Sequence, residues 1–187
     1  ILMSNLSVII APDPILKQKS EIVTVVDDNI RKTLDDMVET MYDMEGIGLA
    51  GVQVGILKKL IVIDVNWKKG ESKSKEPIKL INAEIIWDSE EDNAYEEGCL
   101  SFPEQYSEVI RPKEVKISYL NENGEKKELT ADGLLATCIQ HEIDHTNGIT
   151  FVDHITRLKR DMILKKLEKQ KKLGYFDPHV HGEHCNH

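Results

Sequence analysis

Residues 141–145 read His-Glu-Ile-Asp-His, and they require a helix at the centre of whatever this chain folds into. Two histidines four residues apart share one face of an α-helix, one turn apart, where both can bind a single metal ion. Glu142 between them is placed to handle protons beside that ion. Leu134, Cys138, His141, Glu142 and His145 fall at spacings of three or four, so the ligand face continues an apolar face. Such a helix is expected to be buried, with its metal in a cleft. The pattern points to metal-activated water attacking an electrophilic carbon, and it leaves the third ligand open.

Bulk properties narrow the setting. The chain has 187 residues, 40% of them hydrophobic and 30% charged, which suits one soluble domain with a single core. A net charge of −9 makes nucleic acid an unexpected partner for the molecule as a whole. No apolar run approaches the roughly 20 residues of a membrane span, and Leu6–Ala11 is too short for a secretory leader. We therefore expect a cytoplasmic protein. Three cysteines (Cys99, Cys138 and Cys185) are too few and too odd in number for a disulfide framework.

No internal repeat or interdomain linker is evident. Asp27 or Asp28 can cap a helix bearing Ile30, Leu34, Met37, Val38 and Met41 at helical spacing, with Gly46 and Gly48 stopping it. Leu60–Val65 reads as a well-buried strand, 67–77 as an exposed loop, and Ile78–Trp87 as another strand. Val115, Ile117 and Tyr119 alternate with polar neighbours and run into the turn signal Asn123-Gly124, whose two residues favour positive φ. Asp132 can cap the His-Glu-Ile-Asp-His helix and Gly148 can end it, before a final amphipathic helix from Thr156. Strands in the middle and helices toward the ends predict an α+β fold: mainly antiparallel sheets packed around the central motif-bearing helix. Residues 1–173 are expected to form one catalytic domain, followed by a flexible His-rich tail at 174–187.

Two further segments bear on the metal site. Glu97-Gly98-Cys99-Leu100-Ser101 offers a thiolate in a loop-like context, and one cysteine with two histidines suits a catalytic metal with an open position. A buried apolar cysteine is the structural alternative, and it is the one adopted for Cys138, expected to line the pocket. Gly46-Ile47-Gly48-Leu49-Ala50-Gly51-Val52-Gln53 permits close backbone approach to a ligand. It is no phosphate loop, having neither Gly-Lys-Ser/Thr nor a dinucleotide glycine spacing.

Taken together, GIGLAGVQ, EGCLS and HEIDH, in that order, resemble the peptide deformylase family, and the likeness runs from about Ile9 to Leu173. The resemblance implies a metallohydrolase that removes the formyl group from formylmethionine of nascent polypeptides and releases formate. It implies Cys99, His141 and His145 as metal ligands, with Fe²⁺ favoured in the cell and Zn²⁺, Ni²⁺ or Co²⁺ possible after purification. Glu142 then corresponds to the general base and acid. Gln53 and the Leu100 N–H correspond to oxyanion donors. Gly48, with Ile47, Gly98, Leu134 and Cys138, corresponds to the substrate cleft, along which a peptide would lie extended. Glu97 and Arg111 match an ion pair bracing the cysteine segment, and Asp144 can orient His141 or be purely structural. Two residues depart from the family pattern: Gly51 stands for an alanine, which is expected to loosen its loop, and Tyr106 for an arginine at the pocket mouth.

Thr156–Leu173 carries eight cations against two carboxylates on an otherwise acidic body. It can steer toward ribosomal RNA or simply present a solvated cationic face. The tail holds His179, His181, His184, Cys185 and His187, able to bind transition metals adventitiously. A zinc peptidase would share the helix motif, but it usually draws its third ligand from downstream. A metal-carrying or ribosome-associated binding protein would need neither Glu142 nor Gln53.

Overall fold

Leu60–Ile63 is buried on both faces, and the rest of the molecule is layered around it. The computed structural model describes residues 6–176. Among them are strands β1 (Gly48–Ala50), β2 (Leu60–Ile63), β3 (Ile78–Asp88), β4 (Asp92–Cys99), β5 (Phe102–Pro112), β6 (Glu114–Leu120) and β7 (Lys126–Asp132). The helices are α1 (Asp28–Asp43), α2 (Gly133–Thr146) and α3 (Arg157–Lys172). An antiparallel five-stranded sheet runs in the order β1-β2-β3-β6-β7, and β4 pairs with β5 as a separate hairpin. This is the expected α+β arrangement.

Side chains alternate across a strand, so β2 feeds two cores. Ile61 and Ile63 join Ala50, Leu80, Val115, Ile117, Ala136, Ile139 and Ile143 beneath α2. Leu60 and Val62 join Leu34, Met37, Met41, Leu49 and Ile81 beneath α1. Each fully buried aliphatic side chain contributes about 1.5–3 kcal/mol, which explains the run of four with no polar break. A third cluster around Phe102, Val109, Phe151 and Leu167 ties the hairpin to α3. The helix α2 thus lies between the large sheet and the hairpin, touching strands of both.

Caps and turns follow the sequence with some shifts. Asp27 caps α1, accepting from the Ile30 N–H, and Thr156 caps α3, accepting from the Lys159 N–H. Asp132 occupies the cap position of α2, but its side chain accepts no capping hydrogen bond. Glu45, not a glycine, takes the left-handed conformation after α1, with φ 57°. At the β6–β7 turn Gly124 alone has positive φ, because Asn121 and Glu125 close a three-residue loop rather than a two-residue one. Within 67–77, Trp67 is half-buried rather than exposed.

The larger corrections concern segments read as loops. Glu97–Cys99 ends strand β4, and Leu100-Ser101 form the tight turn into β5. Gly48–Ala50 is the edge strand β1, followed by a 3₁₀ turn at Gly51–Val54. A Cβ on Gly51 would lie 2.7 Å from the Ile56 carbonyl oxygen, so this glycine lets two backbone segments close up instead of loosening them. The chain stays packed through Phe176, which joins the third cluster. The five tail residues His179, His181, His184, Cys185 and His187 lie outside the described residues.

Gly148 has φ 75°, and a Cβ there would sit 2.3 Å from the Lys17 carbonyl oxygen. Gly148→Ala therefore combines a left-handed backbone with a clash against main chain. It should lower stability by about 1–3 kcal/mol in urea unfolding followed by far-UV circular dichroism.

Candidate active site

The turn of α2 that carries the two histidines faces the tip of the β4–β5 hairpin. Their Nε2 atoms lie 3.2 Å apart, and Cys99 Sγ lies 3.4 Å from His145 Nε2. The three ligand atoms all fall within 4.8 Å of one another. A tetrahedral ion with ordinary Zn–N and Zn–S bonds would space its ligands by about 3.3 Å between nitrogens and about 3.5 Å between nitrogen and sulfur. Two of the three edges already match those spacings and the third lies within 4.8 Å, so the residues fit a divalent metal ion.

Electrostatics support the same fit. Burial, together with the neighbouring His141 and Arg111 charges, pushes His145 well below the ordinary imidazole range, which leaves a neutral ring with a free lone pair. Burial acts on His141 in the same direction, but hydrogen bonds with Cys99 and Glu97 overcome it and raise its pKa. The surroundings favour positive charge at this point, as a metal cage should.

A buried network fixes the cage. His141 Nδ1 donates to Glu97 Oε1 at 2.8 Å, and Arg111 grips the same carboxylate through Nε at 2.7 Å and Nη2 at 3.0 Å. Burial would raise the Glu97 carboxyl, but the bonds from His141 and Arg111 outweigh it and hold it down at about 2. Asp144 does not touch His141. Three residues along the helix places it about 60° round the axis. There it accepts from Arg111 Nη1 at 2.8 Å and from His154 Nε2 at 2.7 Å. Glu97 therefore orients His141, and Asp144 backs Arg111, a division that sequence reasoning missed.

In front of the cage lies a cavity of about 540 Å³. Ile47, Gly48, Gly98, Cys99, Leu100, Leu134, Cys138, His141 and Glu142 all line it, so most of the expected site residues converge. Tyr106 and Glu104 stand at its mouth. Cys138 is buried, as read from sequence, and its Sγ contacts the Ile47 carbonyl at 3.7 Å. His145 and Gln53 sit in the wall behind, 0% and 1% exposed. Gln53 Oε1 accepts from the Ala50 N–H, while Nε2 reaches Ser101 Oγ at 3.1 Å and Cys99 Sγ at 3.3 Å.

Glu142 is 3% exposed, and its Oε2 has no hydrogen-bond partner among the described residues. Burial pushes its carboxyl up to about 7. A Cβ on Gly48 would lie 2.6 Å from Glu142 Oε1, so only glycine lets the edge strand come this close to the carboxyl.

A thiolate and two imidazoles beside a proton-holding carboxyl in an apolar cleft define a metal-dependent hydrolase. The comparisons with known proteins say which kind. The model of the polypeptide deformylase family matches residues 5–161. Peptide deformylase of Methylocella silvestris is 52% identical over 171 residues, covering 91% of this chain and 87% of that one. That of Rhodopseudomonas palustris is 52% identical over 92% of this chain and 98% of its own. The crystal structure of peptide deformylase from Ehrlichia chaffeensis superposes with a TM-score of 0.83 at 40% identity, over 90% of this chain and 97% of that one. The chain belongs to the polypeptide deformylase family. It is a hydrolase that removes the N-formyl group from nascent peptides.

Arg111→Met would leave the buried Glu97 with His141 as its one remaining side-chain partner, and breaking such a buried ion pair costs about 3–5 kcal/mol. Denaturant titration at neutral pH should show that loss. Because the folded Glu97 pKa is depressed, the contribution is fully present above the ordinary value of 4.5 and fades as pH falls toward about 2. The gap between parent and variant should narrow over that window.

Proposed function

We propose that Cys99, His141 and His145 hold one divalent ion and that Glu142, Gln53 and Leu100 carry out hydrolysis of the formamide. The observation that carries this reading is Glu142. A buried carboxyl with an unsatisfied oxygen faces the cavity immediately beside the three ligand atoms. When bound, the ion acts as a Lewis acid, polarising the formyl oxygen and lowering the pKa of water to about 7.

The chain's own groups supply the remaining steps. Glu142 takes a proton from the attacking water and passes it to the departing amine, and a carboxyl poised near neutrality suits both transfers. The Leu100 N–H, in the hairpin turn, and Gln53 Nε2 donate to the oxygen of the tetrahedral intermediate. For this Gln53 gives up its bond to Ser101 Oγ. One such donor is worth about 3–4 kcal/mol in the barrier.

Gly48 holds the peptide. The Asp64 N–H donates to the Ile47 carbonyl at 2.9 Å, which turns Ile47 toward β2. Strand alternation then turns the N–H and C=O of Gly48 to the open edge of the sheet. A formylmethionyl segment lying antiparallel there would add a strand, with its side chain toward Leu134, Cys138 and Gly98.

We assign Fe²⁺ as the ion in the cell on the family resemblance, since one thiolate and two imidazoles equally accept Zn²⁺, Ni²⁺ or Co²⁺. We assign residues 1–173 to the catalytic unit, and we place the enzyme in the cytoplasm, where formylated chains emerge. No helix among the described residues is long and apolar enough to cross a membrane.

Glu142→Ala should retain the ion by metal analysis and lose about 10²–10⁴-fold in kcat in a formate-release assay. Cys99→Ser should lose metal content. A near-parental rate for the first, or unchanged metal in the second, rejects the assignment. Comparing formylated with unformylated methionyl peptides separates a deformylase from a peptidase.

We further propose that α3 approaches ribosomal RNA. Lys159, Lys165, Lys166 and Lys169 make no ion pair among the described residues, unlike Lys172 and Arg157. Lys171 is occupied with the Ile10 and Pro12 carbonyls. Replacing the four free lysines by glutamine should reduce co-sedimentation with ribosomes and flatten its salt dependence. Unchanged co-sedimentation rejects the contact.

A further inference from the structure

The strand edge that flanks the cavity is short, and β1 has a partner on one side only. Its preceding residues, Met44–Ile47, belong to no strand, yet they form one wall of the cleft. Something must hold them still against an incoming peptide. A buried polar centre behind that wall does so.

Asp64 follows β2 and is 3% exposed. Its Oδ2 accepts from the Tyr42 hydroxyl at 2.6 Å and from the Glu76 N–H at 2.8 Å. Its Oδ1 accepts from the N–H groups of Asn66 and Trp67, each at 3.2 Å. One carboxylate therefore ties the end of α1, the exit of β2 and the far end of the 67–77 loop. Burial and the bond to Asp64 raise the Tyr42 pKa, so its hydroxyl stays a donor.

The centre reaches the cleft through Trp67. The Trp67 ring meets Tyr42 edge-on at 5.1 Å, and its Nε1 donates to the Gly46 carbonyl at 2.9 Å. Gly46 in turn donates its N–H to Met41 at the end of α1. With Ile47 held by Asp64 N–H, both carbonyls before Gly48 have donors, that of Ile47 also receiving Cys138 Sγ at 3.7 Å. Gly48, next in the chain, turns its N–H and C=O to the open edge of the sheet.

From this we infer that Trp67, seated on the Tyr42–Asp64 pair, is a positioning residue for substrate binding, holding Gly46–Gly48 in the conformation that receives the peptide backbone. The inference rests on the deformylase reading above. Trp67 touches neither the ligands nor Glu142 and acts on binding rather than on proton transfer. Interactions of that kind appear in KM while kcat stays put.

The test uses the metal-loaded enzyme and a formyl-Met-Ala-Ser peptide. Trp67→Phe keeps an aromatic edge against Tyr42 but removes the N–H donor. KM should rise about three- to tenfold, the equivalent of one neutral hydrogen bond, with kcat within about twofold and metal content unchanged. Tyr42→Phe, which loosens the seat of Trp67, should move KM in the same direction by less. An unchanged KM for Trp67→Phe, or a fall in kcat at constant KM, overturns the inference. If that variant does not fold, Trp67 itself reports. In a Trp87→Phe background, its emission should shift when the same peptide saturates the Glu142→Ala enzyme, and constant emission overturns the inference. Absence of formate release by the unaltered enzyme would count against the deformylase reading instead.

Discussion

The buried grip of Arg111 on Glu97 is the interaction from which the catalytic geometry follows. Arg111 lies on β5, Glu97 on β4, and the third bond of the guanidinium reaches Asp144 on α2. Moving these charges out of water costs several kcal/mol per ion, and mutual attraction recovers that only when the remaining bonds are satisfied. Here they are: both Glu97 oxygens accept, and one of them also receives His141. The ion pair thus couples the hairpin that carries the thiolate to the helix that carries the imidazoles. Because guanidinium and carboxylate are both planar, the coupling fixes orientation as well as distance.

That coupling explains how a third ligand can come from a segment forty-two residues upstream of the first histidine. A cysteine on an untethered hairpin would swing relative to α2. Cys99 is held on one side by the strand end and on the other by Gln53, whose amide bridges the sulfur, Ser101 and the Ala50 N–H. Cys99 and His141 therefore each have a second support outside the cage, whereas His145 Nδ1 has no hydrogen-bond partner among the described residues and is held by its buried place on α2. Such supports help a site keep its shape whether or not a cation occupies it.

Much of this was readable from residue order. Helical spacing placed Cys138, His141, Glu142 and His145 on one buried face, though Leu134 at its start is 42% exposed, and the β-branched run at 60–63 announced the buried strand β2. What escaped were features that depend on contacts distant in sequence. Glu97–Cys99 has no alternating pattern of its own, since a glycine interrupts it, and its strand character comes from pairing with β5. Gly48–Ala50 is three residues long and exists as a strand only because β2 lies beside it. The choice of Glu97 over Asp144 as partner of His141 was invisible for the same reason. Helical position alone puts Asp144 near enough, and only the docked hairpin supplies a closer acceptor. Trp67 carried no signal at all within its lysine-rich loop.

Glu142 shows what the fold gives up for its chemistry. A buried oxygen without a partner costs about 1–3 kcal/mol, and an apolar side chain of the same shape would pack on this face of α2 at less expense. The surrounding structure does not relieve the strain: Gly48 brings main chain within contact of Oε1, and Cys138 supplies no strong donor. Desolvation is the source of both the cost and the raised pKa. Water around this carboxyl would return it to the ordinary range near 4.5, where it would be a weaker base toward water and would rarely hold a proton at neutral pH. Positive charge in the cage acts in the opposite sense, favouring the carboxylate that must first accept. In the proposed mechanism Glu142 is a base that becomes an acid within one turnover; that role needs both influences at once, and the cleft places Glu142 where each of them acts.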